Sequence, residues 1–576
     1  MSDFILDRPL IIEPHELFGE QSSDDIPFHP QERYPLANQD ITFQADHQAD
    51  LYDLNWPWAD MLYARSVQIR LSAPREDEFS PIVARLYPGY IESIIGDEGL
   101  IVAKQLSAPL GSGYDRSALW LLACQAEGDR LLRVDILIDW GIPVEQRMVD
   151  GLLVAQVNPG PSQGIYEQQN ADSTRVFGNP EGRPESFNLD DPQKAQLTYY
   201  VLINGEVEVQ FLLTISDVGE QVAWNGFLAL RDGAKVAEKS SKIWADSLQA
   251  GRLWTPDPHL NNWLNNNKIG AICSLQRLRT GMAPTHRQVE EAIHLIDAWD
   301  LVDPIQSRNL LAHLRRLAEK SNGAIPELFP LRRRDELMDP GIQVLKTNAS
   351  YLAALERHMA HHFDAQLLTD HYRAIGLCAA RLVSRKEMLF GTDNESGMAT
   401  LRQMWQRGLK AAAQLARLRG DEDNATKWGE TINQYQGQAH FSYPSKGFPE
   451  TLRLIKEDPP AKPRRDSSLF GQILWDGLGF ESYDESLQVI PQWPDEWQWW
   501  AIMDLPIDED QSLCLVWDGE TLHTTQPLQT SLPLQQHQQI KTLNIDEDYF
   551  ALEFLFIDAE LEENEMQKRF KPNLSG

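Results

Sequence analysis

MATLRQMWQRGLKAAAQLARLRG (398–420), followed at once by DEDNATKWGETINQYQ (421–436), is the stretch that decides the architecture. Leu401, Met404, Trp405, Leu409, Ala412, Ala413 and Ala416 recur at helical spacing and mark one face of an α-helix. The alanines permit a second helix to approach closely. Gly420 and the acidic residues after it separate the two segments, so they predict a tight antiparallel helical hairpin.

The same periodicity extends upstream through SRNLLAHLRRLAEKSNG (307–323), ASYLAALERHMAHHF (349–363) and QLLTDHYRAIGLCAARLVSR (366–385). Leu310, Leu311, Leu314 and Leu317 share a face of the first of these, which stops at Asn322-Gly323. AEKSSKIWADSLQAG (237–251) reads as a linker helix stopped by Gly251. The periodicity gives about eight to nine helices between 255 and 480.

On both sides the period changes to two. SVQIRLSA (66–73), ALWLLACQ (118–125), LLRVDILIDW (131–140), LTYYVLING (197–205), VEVQFLLTIS (207–216) and WNGFLALRD (224–232) read as strands, separated by turns such as PGY (88–90) and APLGSG (108–113). Short strands joined in this way predict a β-sandwich. Strands return in QWWAIMDLPI (498–507), QSLCLVWDGETLHTTQPL (511–528) and YFALEFLFID (549–558). The expected organisation is a loose leader (1–40), a β-sandwich (41–236), a linker helix (237–256), a body of helical hairpins (257–484), a small C-terminal β-domain (485–558) and a mobile tail (559–576).

Composition narrows the function. The 576 residues carry 52 Lys and Arg against 85 Asp and Glu, a net charge of −33. Such a balance argues against nucleic acid and anionic membrane surfaces as partners. Cys124, Cys273, Cys378 and Cys514 are far apart, without the CxxC spacing of a zinc cage or redox dithiol, and read as reduced thiols. MSDFILDRPLIIEPHELFGE (1–20) lacks the basic start of a secretory signal, and no apolar run approaches the ~20 residues of a membrane helix. A soluble cytoplasmic protein is expected.

The order of β-sandwich, linker helix, helical hairpins and small β-domain resembles the six-hairpin glycosidases, the superfamily of glucoamylases, trehalases, sugar phosphorylases and rhamnosidases. The resemblance is carried by RLYPGYIESIIGDEGLIVAKQLSAPLG (85–111), DPHLNNWLNNNKIGAICSLQRLRTG (257–281), LLAHLRRLAEKSNGAIPELFP (310–330), WQRGLKAAAQLARLRGDEDNATKW (405–428) and LQVIPQWPDEW (487–497). It implies an (α/α)6-type barrel of inner and outer helices. The stretch 257–484 is short for twelve helices of about 11–12 residues plus loops, so an incomplete or shortened barrel is expected. The resemblance also implies a carbohydrate ligand or substrate, with no cofactor and no metal. The oligomeric state stays open.

Glycoside hydrolysis uses two carboxyl groups, one protonating the leaving oxygen and one activating water or attacking the sugar. In glucoamylases the acid lies just before the Ala-rich inner helix. RKEMLFGTDNESG (385–397) is the corresponding loop and offers Asp393 and Glu395, although Glu395 can equally cap the helix. Glu327 in GAIPELFP (323–330) is the third catalytic candidate, on a loop that borders the sugar pocket in the family. Trp56 and Trp58 in NWPWAD (55–60), and Trp254 and Asp257 in RLWTPDP (252–258), are candidate sugar contacts or sandwich and junction anchors. Asp466 in RRDSSLFGQILWDG (464–477) can cap a barrel helix or touch substrate. The hairpin that supplies the base in glucoamylases is not found, so no base is assigned. His358, His361, His362 and His371, with Asp364 and Asp370, have the helical spacing of metal ligands, but no HExxH occurs and a solvated or core-edge helix face is expected. The expected activity is an inverting hydrolase acting on an oligosaccharide; the alternative is a non-catalytic carbohydrate-binding or assembly protein.

Overall fold

A computed structural model describes residues 33–57, 61–74, 78–87, 89–97, 99–111, 116–157, 173–217, 219–255, 258–331, 337, 340–390, 395–436, 471, 474, 475, 477, 480–483, 486–489, 497, 500–507, 511–517, 521–524, 529, 530 and 539–542. The chain divides into two bodies, one built mainly from the N-terminal strands and one from the helices and C-terminal strands.

The strands of the first body are β1 (Tyr34–Ala37), β2 (Thr42–Ala45), β3 (Leu51–Trp56), β4 (Met61–Ser72), β5 (Pro81–Tyr87), β6 (Tyr90–Asp97), β7 (Leu100–Ser107), β8 (Ser117–Asp139), β9 (Glu145–Val149), β10 (Leu152–Gln156), β11 (Thr174–Gly178), β12 (Ser186–Asn188) and β13 (Lys194–Ser216). The sheet therefore begins inside the stretch expected as a leader; residues 1–32 of that stretch lie outside the described residues. All thirteen strands belong to one sheet, with β1-β2-β3-β4-β8-β13-β11-β10-β9 as its main path and β5-β6-β7 joined to β8.

The sandwich is this sheet folded over itself. Segments read as four strands, 118–125, 131–140, 197–205 and 207–216, are two strands of 23 residues each. They stay paired from Lys194↔Asp139 to Thr214↔Ser117, with a register shift between Ile203 and Gly205. Gly128 and Gly205 have φ of 84° and 70° near this shift. The apparent turn signal thus bends the ladder without ending it. The first halves of β8 and the second halves of β13 pair with β7 and β11; the remaining halves pair with β4 and β12. One core holds Val67, Ile69 and Leu71 of β4 with Trp120, Phe177 and Phe211 of the other layer. Hydrogen bonds cross the same interior: Trp120 Nε1 donates to Ala49 O at 3.1 Å and Arg175 Nε to Tyr63 O at 2.9 Å.

WNGFLALRD is not a strand. Its residues 224–229 lie in α1 (Glu220–Ala229), which is followed by α2 (Gly233–Gln249). Ala223, Phe227 and Leu230 recur at steps of four and three residues and pack on Leu119, Leu121, Val176 and Leu212, the outer side of one sheet layer. That layer is buried on both faces, so its strands read as continuous apolar runs.

The second body contains α3 (Pro258–Ser274, which begins in it), α4 (Ala292–Trp299), α5 (Pro304–Lys320), α6 (Val344–His361), α7 (Ala365–Ser384), α8 (Lys386–Phe390), α9 (Glu395–Arg419) and α10 (Glu422–Gln436). Asp303 caps α5 and Asp364 caps α7 through their side chains. The helical hairpin expected at 398–436 is present, with Ala425 and Trp428 buried on α10. Helix α6 is buried nearly all round, whereas α5 and α7 bury one face. A helix apolar on every side belongs inside. Close approach is built in: a Cβ on Gly408 of α9 would lie 2.8 Å from Ala349 Cα on α6.

Helix direction follows from the contacts. Tyr372 near the start of α7 bonds Asp421 just past the end of α9, and Trp405 early in α9 bonds Leu382 late in α7, so these two run antiparallel. The short link from α6 to α7 then makes α6 and α9 parallel. Asp300 at the end of α4 bonds His358 at the end of α6, so α4 runs the same way. The N-terminal ends of α4, α6 and α9 therefore share one end of the bundle.

A five-stranded sheet completes this body: β14 (Arg252–Trp254), β15 (Trp500–Pro506), β16 (Ser512–Trp517), β17 (Thr521–Thr524) and β18 (Gln539–Thr542), in that order. Residues 252–254, expected as part of the linker, form its edge strand. The shortening expected of the barrel turns on residues 437–470, which lie outside the described ones, as does the tail 559–576.

Candidate active site

Glu290 and Glu327 precede α4 and α6 at the shared N-terminal end of α4, α6 and α9. The loop 323–330, before α6, is held by side chains that open that helix. Asn348 Nδ2 donates to Gly323 O at 2.7 Å and Cys378 O at 3.3 Å, and Thr347 Oγ1 donates to Ile325 O at 2.8 Å. Gly323 has φ 78°, and a Cβ there would lie 2.4 Å from Leu377 O, so glycine is required both by conformation and by space. The far side of the loop is tied to the segment before α4: Val289 N donates to Glu327 O at 2.9 Å and Phe329 N to Arg287 O at 2.8 Å. Phe329 packs against His313, whose ring centroid is 4.8 Å away. Burial pushes His313 down to about 4, so the ring is neutral at pH 7; its Nδ1 meets Met282 O at 2.7 Å.

This framework fixes the backbone of Glu327 and leaves its side chain exposed. Glu290, also at this end, pairs with Lys346 at 3.5 Å. Glu395 is the first residue of α9, three residues earlier than the helix start expected at Met398, so its backbone opens the third inner helix. Asp393 lies outside the described residues. Asn348 and Glu290 escaped the sequence reading; the signal available for Asn348 was the polar KTN triplet (346–348) at the start of the helix.

Of the remaining candidates, Trp56 and Trp254 are among the described residues. Trp56 is fully buried in the sandwich, 5.8 Å from the Tyr63 ring and covered by the Arg116 guanidinium at 4.6 Å, so it offers no face to a sugar. Trp254 lies in β14, its backbone paired with Ala501. Trp58, Asp257 and Asp466 are outside the described residues.

The histidines expected on a solvated or core-edge face are instead buried at the opposite end of the inner helices. Asp300, fully buried, takes His358 Nδ1 at 2.7 Å and has His361 Nδ1 at 3.6 Å. Burial alone would raise the Asp300 carboxyl; the His358 charge and hydrogen bond, with His361 and His362, more than reverse this and hold it well below the carboxylate range. His362 places Nε2 at 3.0 Å from Asp300 O and Nδ1 at 2.9 Å from Ile507 O. His361 stacks on Trp475 at 3.7 Å, and Trp475 Nε1 donates to Asp297 O at 2.9 Å. The imidazoles are thus spent on holding helix ends and C-terminal residues together.

No protein-family model matches the chain, and no curated protein matches it by sequence. Solved structures do. A protein described as a kojibiose phosphorylase from the human microbiome superposes with a TM-score of 0.54 at 10% identity, over 88% of this chain and 95% of that one. The chain therefore shares that protein's fold over most of the length of both. A family GH92 alpha-mannosidase from Bacteroides thetaiotaomicron gives a TM-score of 0.38 at 13% identity, over 70% of this chain and 63% of its own. A GH78 family rhamnosidase of Bacillus sp. GL1 gives 0.40 at 8% identity, over 71% of this chain and 54% of its own.

Proposed function

We propose that this chain is a carbohydrate-active, glycosidase-like enzyme that hydrolyses an oligosaccharide with inversion, working at the shared N-terminal end of α4, α6 and α9. The observation that supports this most is the tie from Val289 N to Glu327 O, which joins the loop before α6 to the segment before α4 and sets an exposed carboxylate at the helix end where α9 opens with Glu395. In this reading Asp393 or Glu395 protonates the leaving oxygen and Glu327 lines the sugar pocket. Inversion requires two carboxyl groups about 6.5–9.5 Å apart, with water between one of them and the sugar.

The test is turnover of a panel of α- and β-linked disaccharides and oligosaccharides, each with and without inorganic phosphate, by the wild type and by Glu327→Gln, Asp393→Asn and Glu395→Gln. Loss of the acid should lower kcat by about 10²–10⁴-fold. Full turnover by all three variants would overturn the assignment, and turnover only with phosphate would replace hydrolysis by phosphorolysis. A second reading is a non-catalytic carbohydrate-binding protein, in which the exposed Glu327 contacts sugar hydroxyls and no carboxyl acts as general acid. Sugar binding without turnover on any substrate would establish that reading.

A further inference from the structure

The outer face of β4, β8 and β13 carries a groove of roughly 370 Å³, within the size range of small-molecule pockets. Strand register sets its floor. Gln68 and Gln196 both stand opposite Leu137, so an amide flanks each side of a half-buried leucine. Gln68 is oriented by the Tyr52 hydroxyl at 3.1 Å and by Arg70 at 3.3 Å. The adjoining row is Ser66, Asp139 and Lys194 on the same three strands.

The rim is pre-organised. Gln146 Nε2 donates to the carbonyls of Leu189, Asp191 and Lys194 at 3.3, 2.6 and 2.9 Å. Asn188 Oδ1 accepts from Asp190 N at 3.0 Å and Asp191 Oδ1 from Gln193 N at 2.9 Å, which leaves the Asn188 amide nitrogen for a ligand. Charge is balanced: Asp139 lies 3.7 Å from Arg65, and Lys194 and Asp191 both line the groove.

An apolar strip between two amides, with no surplus of either charge, suits a neutral polyhydroxy ligand. The C–H face of a sugar can lie on Leu137 while neighbouring hydroxyls both donate to and accept from the amides. An anion would meet Asp139 and Asp191, and a cation Lys194 and Arg65. We propose that this groove is a second saccharide site, carried by the sandwich alone, that holds a neutral glycan chain. The choice of a saccharide rests on reading the protein as carbohydrate-active.

The test is native gel electrophoresis of the full chain in gels containing dextran, galactomannan or soluble starch. At least one polymer should retard the wild type. Asn188→Ala, Lys194→Ala and Gln196→Ala change exposed side chains; combined, they should weaken retardation at least about tenfold, the loss expected for one or two hydrogen bonds. Turnover of a short oligosaccharide by this triple variant should stay unchanged. Free migration of the wild type in all three gels, or equal retardation of the triple variant, would overturn the proposal. Retardation that the triple variant loses, in a protein that turns over no sugar, would support the groove and sink the catalytic reading at the helix ends.

Discussion

In the sandwich, Asp50 is buried beside Lys104, whose Nζ lies 2.5 Å from the carboxylate and 2.7 Å from Ile69 O, while Ile69 N donates to Asp50 at 2.9 Å. In the helical body, Asp300 is buried among imidazoles, bonded to His358 at 2.7 Å and close to His361. The sheet places its compensating charge across the interior, from β7 to the residue before β3. The helices place theirs within one end of the bundle, where α4 and α6 finish together. Burial pushes Asp50 up to about 6 against the pull of Lys104, whereas the histidines reverse the same penalty at Asp300 and hold it low. Equal burial therefore gives opposite responses to acid, and the difference comes from the partners each fold can bring within reach.

The comparison is broken most directly at Lys104. Lys104→Met leaves Asp50 buried without a counter-charge and should destabilise the sandwich by about 3–5 kcal/mol in urea unfolding followed by tryptophan fluorescence. Adding Asp50→Leu should recover most of that loss, because a buried pair replaced by apolar groups is often near neutral. A single variant as stable as wild type would show that the charge pair is not what compensates the interior.

Between α6 and α9 the packing depends on close backbone approach. Gly408→Ala places a methyl 2.8 Å from Ala349 Cα and 2.9 Å from its Cβ. Overpacking of about 1–3 kcal/mol should outweigh the roughly 1 kcal/mol that alanine gains over glycine in a helix. A stabilised variant, measured by its Tm, would show that α6 and α9 can move apart freely.

Acid sharpens the contrast between the bodies. Burial holds His361 and His371 at about 3, below their ordinary 6.5, so their contribution is complete above pH 6.5 and is lost as pH falls toward 3. Each costs up to about 1.4 kcal/mol per pH unit in that window. Asp50 has the reverse sign: its contribution is present below 3.8 and is lost as pH rises through about 6. Hydrogen exchange compared at pH 7 and pH 4.5, corrected for intrinsic rates, should show α6 and α7 losing protection before β3, β4 and β7. The opposite order would mean that the buried acids and bases do not govern the acid response.

Much of the fold was legible because its signals are local. The helical spacing of 398–436 and the stop at Gly251 depend on residues within one or two turns, and both are realised. WNGFLALRD was misread because five apolar residues in nine satisfy either period; packing of Phe227 and Leu230 against the sheet decided for the helix. Residues 126–130 were left between two segments read as separate strands, yet pairing with β13 makes them part of one strand, β8. The candidate site was half legible. Glu327 could be named from its loop, but its tether to Val289 joins residues 38 positions apart, and no local pattern announces that contact.

By itself, the sequence determined the alternation of strand-rich and helix-rich segments, their order along the chain, and the small-residue face that lets two inner helices meet. Those properties arise from side-chain spacing over a few residues, where backbone geometry leaves only two periods to choose between. The tertiary structure alone decided that one sheet folds over to make both layers, that Trp56 is interior, and that Asp300 finds its histidine 58 residues away. Such pairings are selected by burial and by the demand that interior charges be met, and that demand arises only when distant segments have been brought together.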